Sequence, residues 1–226
     1  MFAMTNTRPS TAQEDYIRAI SKLYNGIDPV GVTELAVALG VRAPSVSGMI
    51  HRLESDGLLE HRARVGVLLT ARGQVLALEI HRRHRLVETF LVQALGFDWA
   101  EVHEEAEALE HHLSERVVQA IDRYLGHPTT DPHGHPIPAA DGTVIVRQLC
   151  LFDSLRPGDR AVIREVGSED PERIRRWTSL GLVPGARVQI LGSEELDGIW
   201  KVEVEGRKIV TGRPGVQGLK VERLAD

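Results

Sequence analysis

Thr33-Glu34-Leu35-Ala36-Val37-Ala38-Leu39-Gly40, followed by Ala43-Pro44-Ser45-Val46-Ser47-Gly48-Met49-Ile50-His51-Arg52-Leu53, decides the fold of this chain. The first run reads as a short helix capped by Thr33 or its neighbour. Gly40 closes it, because glycine accepts the left-handed backbone that ends helices. A second helix then opens with Pro44 in its first turn, where a missing N–H costs nothing. Val46, Met49, Ile50 and Leu53 recur at helical spacing and point inward, and Asp56-Gly57 stops the helix. Upstream, residues 11–25 form a further helix, with Ser10 or Thr11 as cap and Glu14 and Asp15 in the first turn. Its apolar face is Tyr16, Ile17, Ile20, Leu23 and Tyr24. Downstream, residues 58–62 and 67–70 are extended runs around an Arg-Val-Gly turn, a hairpin. Helix, helix, tight turn, helix, hairpin is the order of a winged helix-turn-helix, whose second motif helix enters the DNA major groove. Arg42, Pro44, Ser45, Ser47, His51 and Arg52 surround that helix, and Arg62 and Arg64 sit on the wing. Such side chains reach phosphates, base edges and thymine methyls.

Beyond the hairpin, Thr70-Ala71-Arg72-Gly73 leads into a long helix ending near residue 95, and another helix is expected over about 99–125. The tract 126–142, GHPTTDPHGHPIPAADG, is a linker or an ordered loop. From Val144 the texture changes to short β-like runs at 161–166, 187–191, 200–204, 207–210 and 219–223, with one helix at about 171–180. Runs of that size build a small SH3-like barrel. The expected fold is mainly α with a C-terminal β-barrel, in three domains. A winged helix-turn-helix covers 1–74, a helical dimerisation and metal-binding domain 75–142, and an SH3-like domain 143–226.

At 226 residues with 42% hydrophobic content, the chain buries a sizeable core. It has no run of about 18 apolar residues, so no membrane-spanning helix is expected. The start MFAMTNTRPSTAQ lacks the apolar stretch of a secretory signal, which makes the cytoplasm the expected location. Cys150 is the only cysteine, excluding an internal disulfide and thiolate zinc cages, and it reads as a small hydrophobe at a strand start. The net charge of -5 hides an asymmetry: residues 40–85 hold eight Arg against four acids, and 98–122 hold eight acids against one Arg. A basic front suits phosphates, and an acidic centre suits cations.

The acidic centre contains His103-Glu104-Glu105-Ala106-Glu107-Ala108-Leu109-Glu110-His111-His112. At ~100° per residue, His103, Glu107, Glu110 and His111 share one stripe of a helix. A solvated acidic face is the bland reading of any one of these residues. The whole set, with His84 and Glu88 spaced i,i+4 upstream, concentrates metal-competent groups. Mixed oxygen and nitrogen donors favour Mn²⁺ or Fe²⁺. Beside the stripe, Val102, Ala106, Leu109, Leu113 and Val117 trace an apolar face for a core or a subunit interface.

Several strings resemble the diphtheria-toxin-repressor/manganese-transport-regulator (DtxR/MntR) family. They are Glu14-Asp15-Tyr16-Ile17, Pro44-Ser45-Val46-Ser47, Leu69-Thr70-x-x-Gly73, His84-Arg85-Leu86-x-Glu88, Glu107-x-x-Glu110-His111-His112-Leu113-Ser114 and Gly134-His135-Pro136-Ile137-Pro138. Leu155-Arg156-Pro157-Gly158 through Gly181-Leu182-x-Pro184-Gly185 resembles the FeoA-like third domain of the longer members. The resemblance implies a primary metal site of Asp15, Glu107, Glu110 and His111. It implies a second of His84, Glu88 and His103, joined by Asp170 or Glu172. Iron-type members carry Met and Cys where this chain has Asp15 and Glu107, and that change of donors moves the site towards Mn²⁺. Gly48 replaces a DNA-reading Gln of the iron-type relatives, so their operator sequence does not transfer.

The implied protein is a homodimeric, metal-activated repressor of metal-uptake genes that binds a palindromic operator. Trp99 and the apolar faces of 86–95 and 102–117 are expected to form its dimer interface. A metal-dependent hydrolase using the same His/Glu cluster is the alternative from another class; it needs an open coordination position, a base and a substrate cleft. A DNA-binding protein indifferent to metal is a third.

Overall fold

The computed structural model describes residues 9–194 and 198–224 and divides into two compact units. The first comprises residues up to 82 together with 140–142, and the second comprises 83–139 and 143 onwards. The opening stretch 1–8, read above for a secretory signal, lies outside the described residues.

In the first unit, α1 (Thr11–Leu23) begins at Ser10, whose backbone N–H donates to the Gln13 side-chain carbonyl at 3.0 Å. Then come α2 (Val32–Ala38) and α3 (Ala43–Ser55). Helix α2 takes Gly31 as its N-cap, two residues ahead of the expected Thr33, and no side chain caps it. The wing is β1 (Leu59–Arg62) paired antiparallel with β2 (Gly66–Leu69), with Val30 bridging to Val67 as a short third rung. Ile17, Leu35, Val46, Leu53 and Val67 are fully buried at the junction of these elements. Burying each such side chain contributes roughly 1.5–3 kcal/mol. The first turns of α4 (Ala71–Leu95) complete this core with Ala77 and Ile80.

The second unit departs from the expected single helix at 99–125. That region forms α5 (Val102–Glu110) and α6 (Glu115–Tyr124), broken at His111–Ser114, where the Ser114 side chain accepts from the Val117 N–H. A serine with a free backbone N–H three residues on competes effectively for the helix start. The break splits the expected apolar stripe. Val102 and Ala106 are fully buried against Val87 and Leu91, whereas Leu109 and Val117 are each 42% exposed and Val118 and Ile121 face inward instead.

The tract 126–142 is an ordered loop. Asp131 Oδ1 accepts the backbone N–H groups of His133 (2.8 Å) and His135 (2.9 Å), and Thr130 bridges to Pro136. Beyond it, β3 (Cys150–Leu151), β4 (Arg160–Val166), β5 (Arg187–Glu194), β6 (Ile199–Val204), β7 (Arg207–Gly212) and β8 (Leu219–Arg223) form one antiparallel sheet. Their order is β3-β8-β4-β5-β6-β7. Among the described residues no pairing joins β3 to β7, so the expected barrel is an unclosed sheet. Helix α7 (Pro171–Leu180) packs Ile174 and Trp177 onto it, with Phe152, Ile163, Leu182 and Val202.

Gly73, in the first turn of α4, sits where a Cβ would lie 1.9 Å from the Leu58 carbonyl oxygen. That oxygen already accepts the Thr70 N–H. Gly73→Ala must therefore push the wing from α4 and should cost about 1–3 kcal/mol or more, read as a lowered melting temperature. A wild-type melt would contradict this packing.

Candidate metal centre

Helix α4 carries His84 and Glu88 one turn apart, and α5 presents His103 from its first turn. His84 Nε2 lies 3.0 Å from Glu88 Oε1 and 3.1 Å from His103 Nδ1, and His103 Nδ1 lies 3.1 Å from Glu88 Oε1. Three donor atoms thus form a nearly equilateral triangle. An ion held at about 2.1 Å by donors at right angles separates them by about 3 Å, whereas Ca²⁺ at about 2.3–2.6 Å needs roughly 3.3–3.7 Å. The triangle has the size for a small divalent ion and the donors for manganese, iron or zinc.

The outward nitrogens of both imidazoles face carboxylates. His84 Nδ1 donates to Glu110 Oε2 at 3.0 Å, and His103 Nε2 lies 3.4 Å from Glu107 Oε1 and 3.2 Å from Glu169 Oε2. Such partners fix ring orientation and tautomer in metal sites. Glu110, only 1% exposed, turns its other oxygen towards His111 Nε2 at 3.5 Å. Glu110 therefore links the two sets of residues expected from the sequence. Asp15 belongs to α1 in the first unit.

The third-domain expectation needs a shift by one residue. Glu169 is the carboxylate that reaches His103, whereas Asp170 Oδ1 accepts the Glu172 N–H as the cap of α7 and Glu172 is exposed in that helix's first turn. Asp170-Pro171 is a capping pair, a signal readable in the sequence. Nothing in the sequence pattern marks His133. Its Nδ1 lies 3.7 Å from Glu88 Oε2, and it comes from a loop whose residues have no helical spacing. Arg85, on the next position of α4 after His84, is engaged instead by the Pro136 carbonyl and by Asp131.

The electrostatics favour protonated imidazoles beside an ionised carboxylate. Burial opposes charge on His84 most strongly, yet hydrogen bonds to Glu110 and Glu88 outweigh it and raise its pKa. Burial likewise opposes His103, but Glu107, Glu169 and Glu88 push it up to about 11. For Glu88, burial is again the largest single effect, and the bonds from His103, His133 and His84 overcome it to hold the carboxyl well below its usual range.

In the first unit, Arg42, Pro44, Ser45, Ser47, His51 and Arg52 are exposed on and beside α3, as are Arg62 and Arg64 on the wing. Ser47 Oγ donates back to the Ala43 carbonyl at 3.2 Å, and Arg62 Nε donates to Glu60 at 2.9 Å. Arg64 stands at the wing tip with φ +65°. No helix among the described residues is long and apolar enough to cross a membrane.

A winged helix-turn-helix followed by a buried His/Glu cluster of this size defines a metal-responsive DNA-binding regulator. Comparison with known proteins agrees. Residues 9–67 match the iron-dependent repressor N-terminal DNA-binding domain, 70–139 the iron-dependent repressor metal-binding and dimerisation domain, and 151–223 the FeoA domain. The iron-dependent repressor IdeR of Mycobacterium leprae is 34% identical over 78% of this chain and 82% of its own length. The transcriptional regulator MntR of an Escherichia coli strain is 37% identical over 54% of this chain and 74% of its own. A solved manganese-dependent transcriptional repressor in complex with manganese superposes with a TM-score of 0.86 at 37% identity, covering 94% of this chain and all of that one. The chain belongs to the DtxR/MntR family of metal-dependent transcriptional repressors.

An ion held by His84 and His103 would have to displace the protons that the neighbouring carboxylates favour on them. Mn²⁺ binding should release about one to two protons per ion and tighten as pH rises, which calorimetry in buffers of different ionisation enthalpy reads out. For the metal-free protein the signs are opposite at the two ends. Stability from Glu88, whose pKa is lowered, is present above 4.5 and lost as pH falls below it. Stability from His103, whose pKa is raised, is complete below 6.5 and lost as pH climbs through about 11. Melting temperatures of the metal-free protein should therefore fall at both extremes. A flat acid limb would refute the paired state of Glu88.

Proposed function

We propose that this repressor is activated by Mn²⁺, with Fe²⁺ as the competing ion. It acts as a cytoplasmic homodimer on a palindromic operator controlling metal-uptake genes. The observation that carries this reading is the triangle of His84, Glu88 and His103 at 3.0–3.1 Å, backed by Glu110, Glu107 and Glu169. Repressors of this family are not enzymes, so the cluster is read as a sensor rather than a hydrolytic centre.

In this reading Asp15, Glu107, Glu110 and His111 hold the activating ion. His84, Glu88 and His103, with Glu169 in the role first expected of Asp170 or Glu172, hold a supporting one. When bound, the ion supplies the positive charge that the imidazole protons otherwise provide around buried Glu88 and Glu110. Asp15 lies on a helix of the DNA-binding unit and the other three on or next to α5. A ligand set drawn from both binds the DNA-competent arrangement more tightly and shifts the population towards it. Operator DNA must then tighten metal binding by the same factor. Exposed Leu95, Phe97, Leu109, Val117 and Tyr124 support a dimer face along the ends of α4 to α6, although Trp99 packs within its own chain. Two copies of α3 about 34 Å apart would read the half-sites.

Operator affinity measured with and without Mn²⁺ tests the reading, and equal affinity for a folded protein would end it. Glu110→Gln should abolish the Mn²⁺ response. His112→Ala should preserve it, because His112 is exposed and its ring Nδ1 turns to the Ala108 carbonyl of α5. On the wing, Arg64→Ala should weaken binding to all sequences alike and reduce the salt slope by about one; a sequence-selective loss would instead make Arg64 a base reader.

A further inference from the structure

Glu88 turns its two oxygens in opposite directions. Oε1 belongs to the triangle with His84 and His103, and Oε2 faces His133 Nδ1 at 3.7 Å. His133 belongs to neither ligand set, yet it is only 4% exposed and is anchored on several sides. Its Nε2 lies 2.9 Å from the Trp99 carbonyl; a carbonyl only accepts, so this nitrogen carries a proton and donates. Its backbone N–H donates to Asp131 Oδ1 at 2.8 Å, and its carbonyl accepts from the Val166 N–H in β4 at 3.0 Å. The next residue, Gly134, has φ +87°, and a Cβ there would lie 1.7 Å from the Arg164 carbonyl oxygen. The loop is pressed onto β4 without space for a side chain. With Nε2 spent on Trp99, Nδ1 is the ring's remaining polar atom, and the anchors aim it at Glu88.

We propose that His133 is a positioning residue of the metal centre: held at ion-pair distance from Glu88 Oε2, it keeps that oxygen turned aside so that Oε1 alone is offered to an ion, biasing the site towards small six-coordinate ions and against Ca²⁺. The physical basis is that Ca²⁺ takes six to eight oxygens and readily uses both oxygens of a carboxylate, whereas smaller ions are satisfied by one. The inference rests on the reading above, that His84, Glu88 and His103 hold an ion. Glu88, Asp131 and His133 also bring donor atoms within 4.8 Å of one another. However, Asp131 Oδ1 is taken by two backbone N–H groups, and Oδ2 faces the Arg85 guanidinium at 3.7 Å and His135 at 3.2 Å. A fixed guanidinium charge disfavours a second cation there.

The test is Mn²⁺ titration of the full chain in an Asp15→Asn background, which leaves the His84, Glu88 and His103 donors intact. The parent is compared with His133→Phe and with His133→Asn, whose amide nitrogen falls near the place of Nδ1. Circular dichroism establishes that each is folded. His133→Phe should bind Mn²⁺ about tenfold more weakly, let Ca²⁺ compete better, and change the Mn²⁺ electron paramagnetic resonance spectrum. His133→Asn should stay close to the parent in all three. The inference is overturned if folded His133→Phe matches the parent, if Asn fails to rescue what Phe loses, or if either variant loses a whole equivalent of Mn²⁺, which would make His133 a ligand. Absence of Mn²⁺ binding by the parent would overturn the assignment of His84, Glu88 and His103 itself, and is distinguishable because it precedes any change at residue 133.

Discussion

A carboxylate that is 2% exposed must be surrounded by donors or positive charge, and Glu88 meets that demand with three imidazoles. Leaving a buried charge without its partner costs on the order of 3–5 kcal/mol, which is comparable to much of a domain's net stability. This requirement organises the second unit. It dictates that α5 bring His103 to α4, that the loop after α6 bring His133, and that Glu107, Glu110 and Glu169 complete the outer charges. A divalent cation and a set of protons are alternative solutions to the same electrostatic problem. That equivalence is the physical basis of the sensing role proposed for the cluster.

The supports of this arrangement are spread along the chain. Asp131 folds the loop by accepting two backbone N–H groups, and it also faces Arg85, the neighbour of His84 on α4. His133 and Gly134 then fasten the loop to β4. Arg175 of α7 pairs with Glu101 at the start of α5, on the side from which Glu169 approaches His103. The FeoA-like sheet is therefore packed against the His/Glu cluster through named contacts rather than appended to it. The His/Glu cluster and the setting of this sheet share the same residues.

Much of this was legible because it depends on local rules. The wing and its helices follow from apolar spacing, Pro44, and glycines at chain reversals. The pair His84 and Glu88 follows from helical periodicity, and α7 follows from Asp170-Pro171 at one end and Gly181 at the other. The departures from local pattern also have physical sources. Periodicity alone carried one helix through His111–Ser114, although Ser114 competes as a cap and breaks it. The strand runs suggested closure, but pairing between β3 and β7 depends on long-range register, which alternation within a strand does not encode.

The sequence by itself determined most of the elements, the residue types offered as donors and the family, since each rests on residue type at short spacing. Only the tertiary structure decided which donors converge. It put Glu169 rather than Asp170 beside His103, made Glu110 the partner of both His84 and His111, and brought His133 to Glu88. Those contacts span loops and separate elements, where no period relates one residue to another. Burial and charge pairing, satisfied together in three dimensions, selected them.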